Sequence, residues 1–241
     1  ANLFESNNSD SFKTFVRDLT DELHNELGFE VKKDEELEIK EVRDTINKLR
    51  AKNLDDDSFI KKFSDIFKEN KMESISEGTF FSSILFISAL DETNKIEIFL
   101  EKFENAESPQ MQGRYRAVLG QVRDQNASKK IVEFMLDGRI RGADCPYILA
   151  SMITNKYIGK KSWKVIKENF NDLLSVMPDW TASRILDALP AIYDEEFADD
   201  IKNFIKKNPL PSSEKLAAQK LERLEANIEF MDNLKEVNNE T

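Results

Sequence analysis

The chain has 241 residues, a formal net charge of -11, one cysteine and one histidine. An acidic polypeptide lacks the field that releases counterions from a phosphate backbone, and no basic stripe with interleaved aromatics occurs, so nucleic acid is not an expected partner. No apolar run reaches the ~18 residues of a membrane span, and Cys145 alone can form no internal disulfide, so no membrane is expected and a cytoplasmic setting is.

Glycine and proline are scarce, at 7 and 6 residues. β-hairpins draw on glycine for turns with positive φ, whereas apolar residues here recur three and four positions apart, the period of helices with one buried face. Phe12, Phe15, Val16, Leu19, Leu23 and Leu27 form the first stripe, closed by Gly28 as a left-handed cap, and His24 falls outside it, facing solvent. Leu37, Val42, Ile46 and Leu49 form the second. Phe59, Phe63, Ile66 and Phe67 form the third, behind the negative charge of Asp55 to Asp57. Phe80, Phe81, Ile84, Leu85 and Ile87 are apolar nearly all round, which predicts a buried helix. Ile96, Phe99, Leu100 and Phe103 follow.

Ser108-Pro109 is a helix start, with a capping hydroxyl and a proline in the first turn. The helix from Asn126 to Leu136 is stopped by Asp137-Gly138, and a short one opens at Pro146. Trp163 to Leu174 reads as one longer helix and Trp180 to Ile192 as the next. The helix through Phe197 and Ile205 ends before Pro209 and Pro211. A last helix runs from about Ser213 to the mid-230s. The expected fold is therefore all-α, with about twelve helices joined by short links that force neighbours antiparallel. Such pairs stack as a HEAT/armadillo-like right-handed superhelix. Residues 11–235 are expected to form one helical-repeat domain. Residues 1–10 read as a disordered or linker lead-in and 236–241 as a polar tail. The acidic start carries no signal-peptide pattern and reads as the interior of a longer polypeptide.

A zincin site needs two imidazoles one helical turn apart with a glutamate between them, and His24 is the only histidine. Nucleophile–base pairs need a base within hydrogen-bond reach, and Cys145, entering an apolar helix, reads as a buried, inert thiol. There is no phosphate-cradling glycine loop, and no carboxylate pair stands out among 46 acidic residues. No catalytic residue, metal ligand or cofactor site is expected in this chain.

Residues Arg139 to Phe170 read R-I-R-G-A-D-C-P-Y-I-L-A-S-M-I-T-N-K-Y-I-G-K-K-S-W-K-V-I-K-E-N-F. This resembles the C-terminal domain of the gluzincin aminopeptidases, whose members carry I-R-x-Q-D-x-P, then N-x-x-G-x-x-x-A-W, then a K-E-N-W helix. Ile140, Arg141, Asp144, Pro146, Asn155, Gly159, Trp163 and Asn169 match, while Ser162 replaces the usual alanine and Phe170 the usual tryptophan. Leu224 to Asp232 resembles the terminal N-I-x-W helix, with Asn227 matching and Phe230 in place of tryptophan. Glu26 to Glu30 is similar to an L-G-W-E turn near the domain's start.

The resemblance implies a domain that caps the active site of a zinc aminopeptidase, encloses the substrate cavity and helps bind peptide. The zinc and its ligands would lie in a separate thermolysin-like domain of the same polypeptide. It further implies that Arg184, in T-A-S-R-I-L-D, meets substrate carboxyl groups. An arginine fork suits that role, and a solvent or intradomain ion-pair arginine is the other reading. Arg141 and Asp144 are expected to pair structurally, with Asn169 and Asn227 making helix-end or packing contacts. A free-standing scaffold that binds a protein on its concave face is the alternative function.

Overall fold

The computed structural model describes residues 9–32, 34–54, 56–69, 78–210 and 213–239. Most of the expected lead-in and the end of the tail lie outside them, as do Asp55 and Pro211. Among the described residues there are thirteen α-helices, one 3-10 helix and no strand, so the fold is all-α as the periodicity predicts. They fall into two compact units that meet in sequence between Asp124 and Gln125.

The first unit contains α1 (Ser9–Leu27), α2 (Leu37–Asn53), α3 (Asp57–Lys68), α4 (Gly78–Ala89), α5 (Ile96–Glu104) and α6 (Pro109–Leu119). α4 is the hub and packs against α2, α3 and α6. Its Phe81, Ile84, Leu85 and Ile87 are all buried, as expected of a helix apolar on nearly every face. Local chemistry sets the helix ends. Asp56 accepts the Phe59 amide at 3.0 Å to start α3, and Ser108 accepts the Met111 amide at 3.2 Å to start α6. Gly28 and Gly138 take φ of +70° and +74° after α1 and after the helix that ends at Leu136, where a Cβ would be strained. The α5 start is capped from afar, because the buried Asp124 carboxylate accepts the Ile96 amide at 3.1 Å. Arg43 of α2 is also buried, donating to the Glu35 carboxylate and, at 3.2 Å, to the Leu27 carbonyl. It ties the end of α1 to the start of α2.

Only part of the expected apolar stripe of α1 packs inward. Phe15, Leu19 and Leu23 are exposed, while Val16 and Thr20 are buried. His24, expected at the surface, is half-buried with its ring edge-on to Phe59 at 5.5 Å. Its Nδ1 is buried without a hydrogen bond among the described residues. The helix is turned so that Thr20 and Asp21 receive Arg50 of α2, at 2.8 and 2.6 Å, which brings the residue after each large apolar one inward. Leu37 and Val42 of α2 are likewise exposed, whereas Ile46 of the expected stripe is buried, together with Arg43, Asn47 and Ala51.

This placement makes stability depend on pH. Burial, chiefly, and the nearby Arg50 and Lys62 hold the His24 pKa below its ordinary 6.5, against the opposing pull of Asp21 and Asp56. A depressed histidine contributes stability that is fully present above the unfolded value of 6.5 and is lost as pH falls through the folded value. The urea midpoint should drop between pH 7.5 and 5.5, and His24→Phe should abolish that drop. Glu35, held low by its bond from Arg43, and Asp56, held low by Ser58, give way only below the ordinary carboxylate range. Identical pH slopes for the two proteins across the histidine window would refute the assignment.

The second unit contains α7 (Ala127–Leu136), α8 (Cys145–Ile153), α9 (Gly159–Glu168), α10 (Phe170–Val176), α11 (Asp179–Ala182), the 3-10 helix Ser183–Ala191, α12 (Glu195–Lys207) and α13 (Glu214–Asn239). α7 packs on α9 and α10, α8 on α9 and the 3-10 helix, and the 3-10 helix on α13. The single helix expected from Trp163 to Leu174 is two. Asn169 sits at φ -117°, ψ 17°, and its side-chain amide donates to the Val165 carbonyl at 2.8 Å, competing with the backbone for that acceptor. The helix expected from Trp180 to Ile192 is likewise a four-residue α-turn followed by 3-10 geometry, with Pro190 inside it. Proline has no amide to donate and suits the tighter, shorter form.

Candidate functional site

The motif around Asp144 and Trp163 is structural chemistry. Arg141 donates from Nε to Asp144 Oδ2 at 2.9 Å on an exposed turn ahead of α8. A Cβ at Gly142 would fall 2.0 Å from the Val176 carbonyl oxygen, and one at Gly159 would fall 2.4 Å from that of Ile153. Both positions need glycine because backbone, not a flexible side chain, fills the space. Asn155 accepts the Tyr157 amide with its side chain and the Gly159 amide with its carbonyl, at 3.0 and 2.7 Å. It thereby shapes the link from α8 to α9.

Trp163 on α9 is 2% exposed and donates from Nε1 to Asp200 of α12 at 3.0 Å, with its ring edge-on to Phe204 at 5.2 Å. Lys167 holds the same carboxylate at 2.8 Å. Asp200 gave no sequence signal, since its partners lie 33 and 37 residues away. Two of the departures from the aminopeptidase pattern, Ser162 and Phe170, are accommodated by packing. The Ser162 hydroxyl is buried and shares a 2.8 Å hydrogen bond with Ser128 of α7. Phe170 packs edge-on to Phe204 at 5.0 Å. Asn227 of α13 donates to the Pro190 carbonyl at 2.8 Å, which fixes α13 along the 3-10 helix.

Arg184 stands apart from these. Its side chain is 52% exposed on the 3-10 helix, and its ion-pair partner, Asp187, lies at 3.7 Å, beyond hydrogen-bond distance. Asp187 is engaged more closely by Lys220 of α13 at 2.8 Å. The guanidinium therefore keeps its planar set of donors free to meet a carboxylate. One turn earlier Trp180 is 75% exposed.

The one thiol is not an activated nucleophile. Cys145 is fully buried, and burial first, then the Asp144 charge, push its thiol up to about 12, so it stays protonated and inert. A cleft of about 330 Å³ between α12 and α13 has Ala198, Leu224 and Ile228 along its floor and Glu195, Asp199 and Glu225 on its rim. Lys202 spans it to Glu225 at 2.8 Å, and it contains no nucleophile–base pair. Zinc does not fit the described residues. The one imidazole is wedged against Phe59, the one thiol is held protonated, and no group of three or more metal-binding side chains occurs among the described residues. Nor is any helix among them long and apolar enough to cross a membrane.

Residues 1–226 match the family described as ERAP1-like C-terminal domain. The match covers all of the first unit and most of the second, including the Arg141–Asn169 motif and Arg184. The all-α fold of the described residues accords with that match: the chain belongs to the ERAP1-like C-terminal domain family, a part of aminopeptidases.

Proposed function

We propose that this chain is the C-terminal part of a zinc aminopeptidase that trims peptides from their N-termini, and that its share of the work is shape and contact. In this reading it caps the active site, encloses the substrate cavity and offers Arg184 to peptide carboxyl groups. The zinc and its ligands belong to a thermolysin-like domain of the same polypeptide. The family match over residues 1–226 carries the reading, and the exposed, loosely paired guanidinium of Arg184 supports the contact assigned to it.

The test is kinetic. In the full enzyme, Arg184→Ala should raise KM about tenfold for peptides with a free C-terminal carboxylate, the effect of losing one charge-assisted hydrogen bond of roughly 1.5–3 kcal/mol. It should leave amidated peptides and single-residue amides unchanged. The 241-residue chain alone should hydrolyse no amino-acid amide, with or without added zinc. Zinc-dependent turnover by that chain would overturn the division of labour, and equal KM values for carboxylate and amide peptides in both enzymes would remove Arg184 from the site.

A further inference from the structure

Arg184 and Asp187 share the 3-10 helix Ser183–Ala191. That geometry has about three residues per turn, so side chains at i and i+3 eclipse one another. Asp187 therefore stands one turn along in line with Arg184, and its carboxylate competes with any peptide carboxylate for the same donors. Yet the two make no hydrogen bond, since the nearer Arg184 nitrogen and Asp187 Oδ2 are 3.7 Å apart. The reason lies on α13. Lys220 Nζ is 2.8 Å from Asp187 Oδ1, the distance of a charge-assisted hydrogen bond. Among the described residues, Lys220 and Arg184 are the two cations that pair with Asp187. Asn227, two turns beyond Lys220 on the same face of α13, donates to the Pro190 carbonyl at 2.8 Å. That backbone contact sets the register in which Lys220 meets Asp187.

We propose that Lys220 is a positioning residue for peptide binding: by holding Asp187, it keeps the Arg184 guanidinium open to the carboxylate of a peptide. The inference rests on the reading of Arg184 as a carboxylate contact. Without Lys220, Asp187 closes on Arg184 across one 3-10 turn, and a peptide has to displace it before binding. The competition takes place within the protein, so it weakens binding and leaves the chemical step alone. It also requires Asp187, which separates it from a direct attraction between Lys220 and the peptide. Such an attraction would act whether or not residue 187 is an acid.

The experiment is a double-mutant cycle in the full enzyme, with Lys220→Met and Asp187→Asn made singly and together. The substrates are a leucine-initiated peptide with a free C-terminal carboxylate and the same peptide amidated. Methionine keeps much of the lysine stem and removes the charge. Lys220→Met should raise KM for the carboxylate peptide about two- to fivefold, the scale of an exposed ion pair, with kcat unchanged and the amidated peptide unaffected. In the Asp187→Asn background the same substitution should change nothing. Lys220→Arg, which still holds Asp187, should keep the wild-type KM. Equal increases from Lys220→Met with and without Asp187 overturn the inference, because Lys220 would then act on the peptide directly. An increase shared by the amidated peptide, or one that Lys220→Arg produces as well, also overturns it, since either marks a displaced α13. No rise in KM from Lys220→Met, in an enzyme where Arg184→Ala does raise it, sinks this inference alone. If Arg184→Ala changes KM for neither peptide, the carboxylate reading falls and this one falls with it.

Discussion

Replacing Trp163 with alanine lowers the unfolding free energy of the second unit by about 3–5 kcal/mol, the range for truncating a buried large aromatic. The indole is 2% exposed, so nearly all of its apolar surface is withdrawn from water and the cavity left behind is deep. Two further losses add to the transfer cost. The edge-on contact with Phe204 disappears, and Asp200 loses its Nε1–H donor while Lys167 remains on the same carboxylate. Trp163→Phe separates these effects, since it keeps most of the ring and removes only the donor. Its cost should be well below that of alanine. Asp200→Asn should cost about 0.5–1.5 kcal/mol, as for one hydrogen bond. Urea titrations with unchanged slope are the measurement. A Trp163→Ala protein that loses less than about 1 kcal/mol would mean the α9–α12 contact is not part of the core.

Phe63→Ala should produce a loss of the same order, about 3–5 kcal/mol, in the first unit. Phe63 is fully buried, and its ring meets Phe59 at 5.2 Å, Phe29 at 5.7 Å and Phe80 at 6.3 Å, each edge-on. Edge-to-face pairs contribute about 0.5–1.5 kcal/mol beyond area burial. This ring joins α3 to α4 and to the turn after α1, so its removal loosens three segments together. Phe63→Leu retains apolar volume but no ring edge and should fall between wild type and alanine. A double-mutant cycle with Phe59→Ala should show non-additivity, because the two rings touch. Strict additivity would place them in separate packing environments.

Ser108, Gly28 and Gly138 show how much could be read directly. Capping is a bargain struck within four residues, so the side chain that makes it stands beside the helix end it serves. The buried α4 was equally legible, because a helix apolar on all sides has no solvent face to choose. That this chain cannot supply the two imidazoles of a zincin site followed from counting a single histidine. The reading of Arg184 came from resemblance. What composition could not supply was that Lys220 takes up Asp187 and leaves the guanidinium loosely paired, since Lys220 comes from another helix 33 residues on.

The sequence by itself determined the helical class, the positions of several helix ends and the supply of a single imidazole, because each depends on short-range geometry or on residue counts. The tertiary structure alone decided which face of α1 is covered, that Asn169 divides α9 from α10, that Ser183–Ala191 tightens to 3-10 geometry, and that Asp200 is the partner of Trp163. These outcomes are settled by neighbours distant in sequence. An apolar stripe states which side chains prefer to leave water, but an arginine thirty residues away that finds Thr20 and Asp21 determines which of them do.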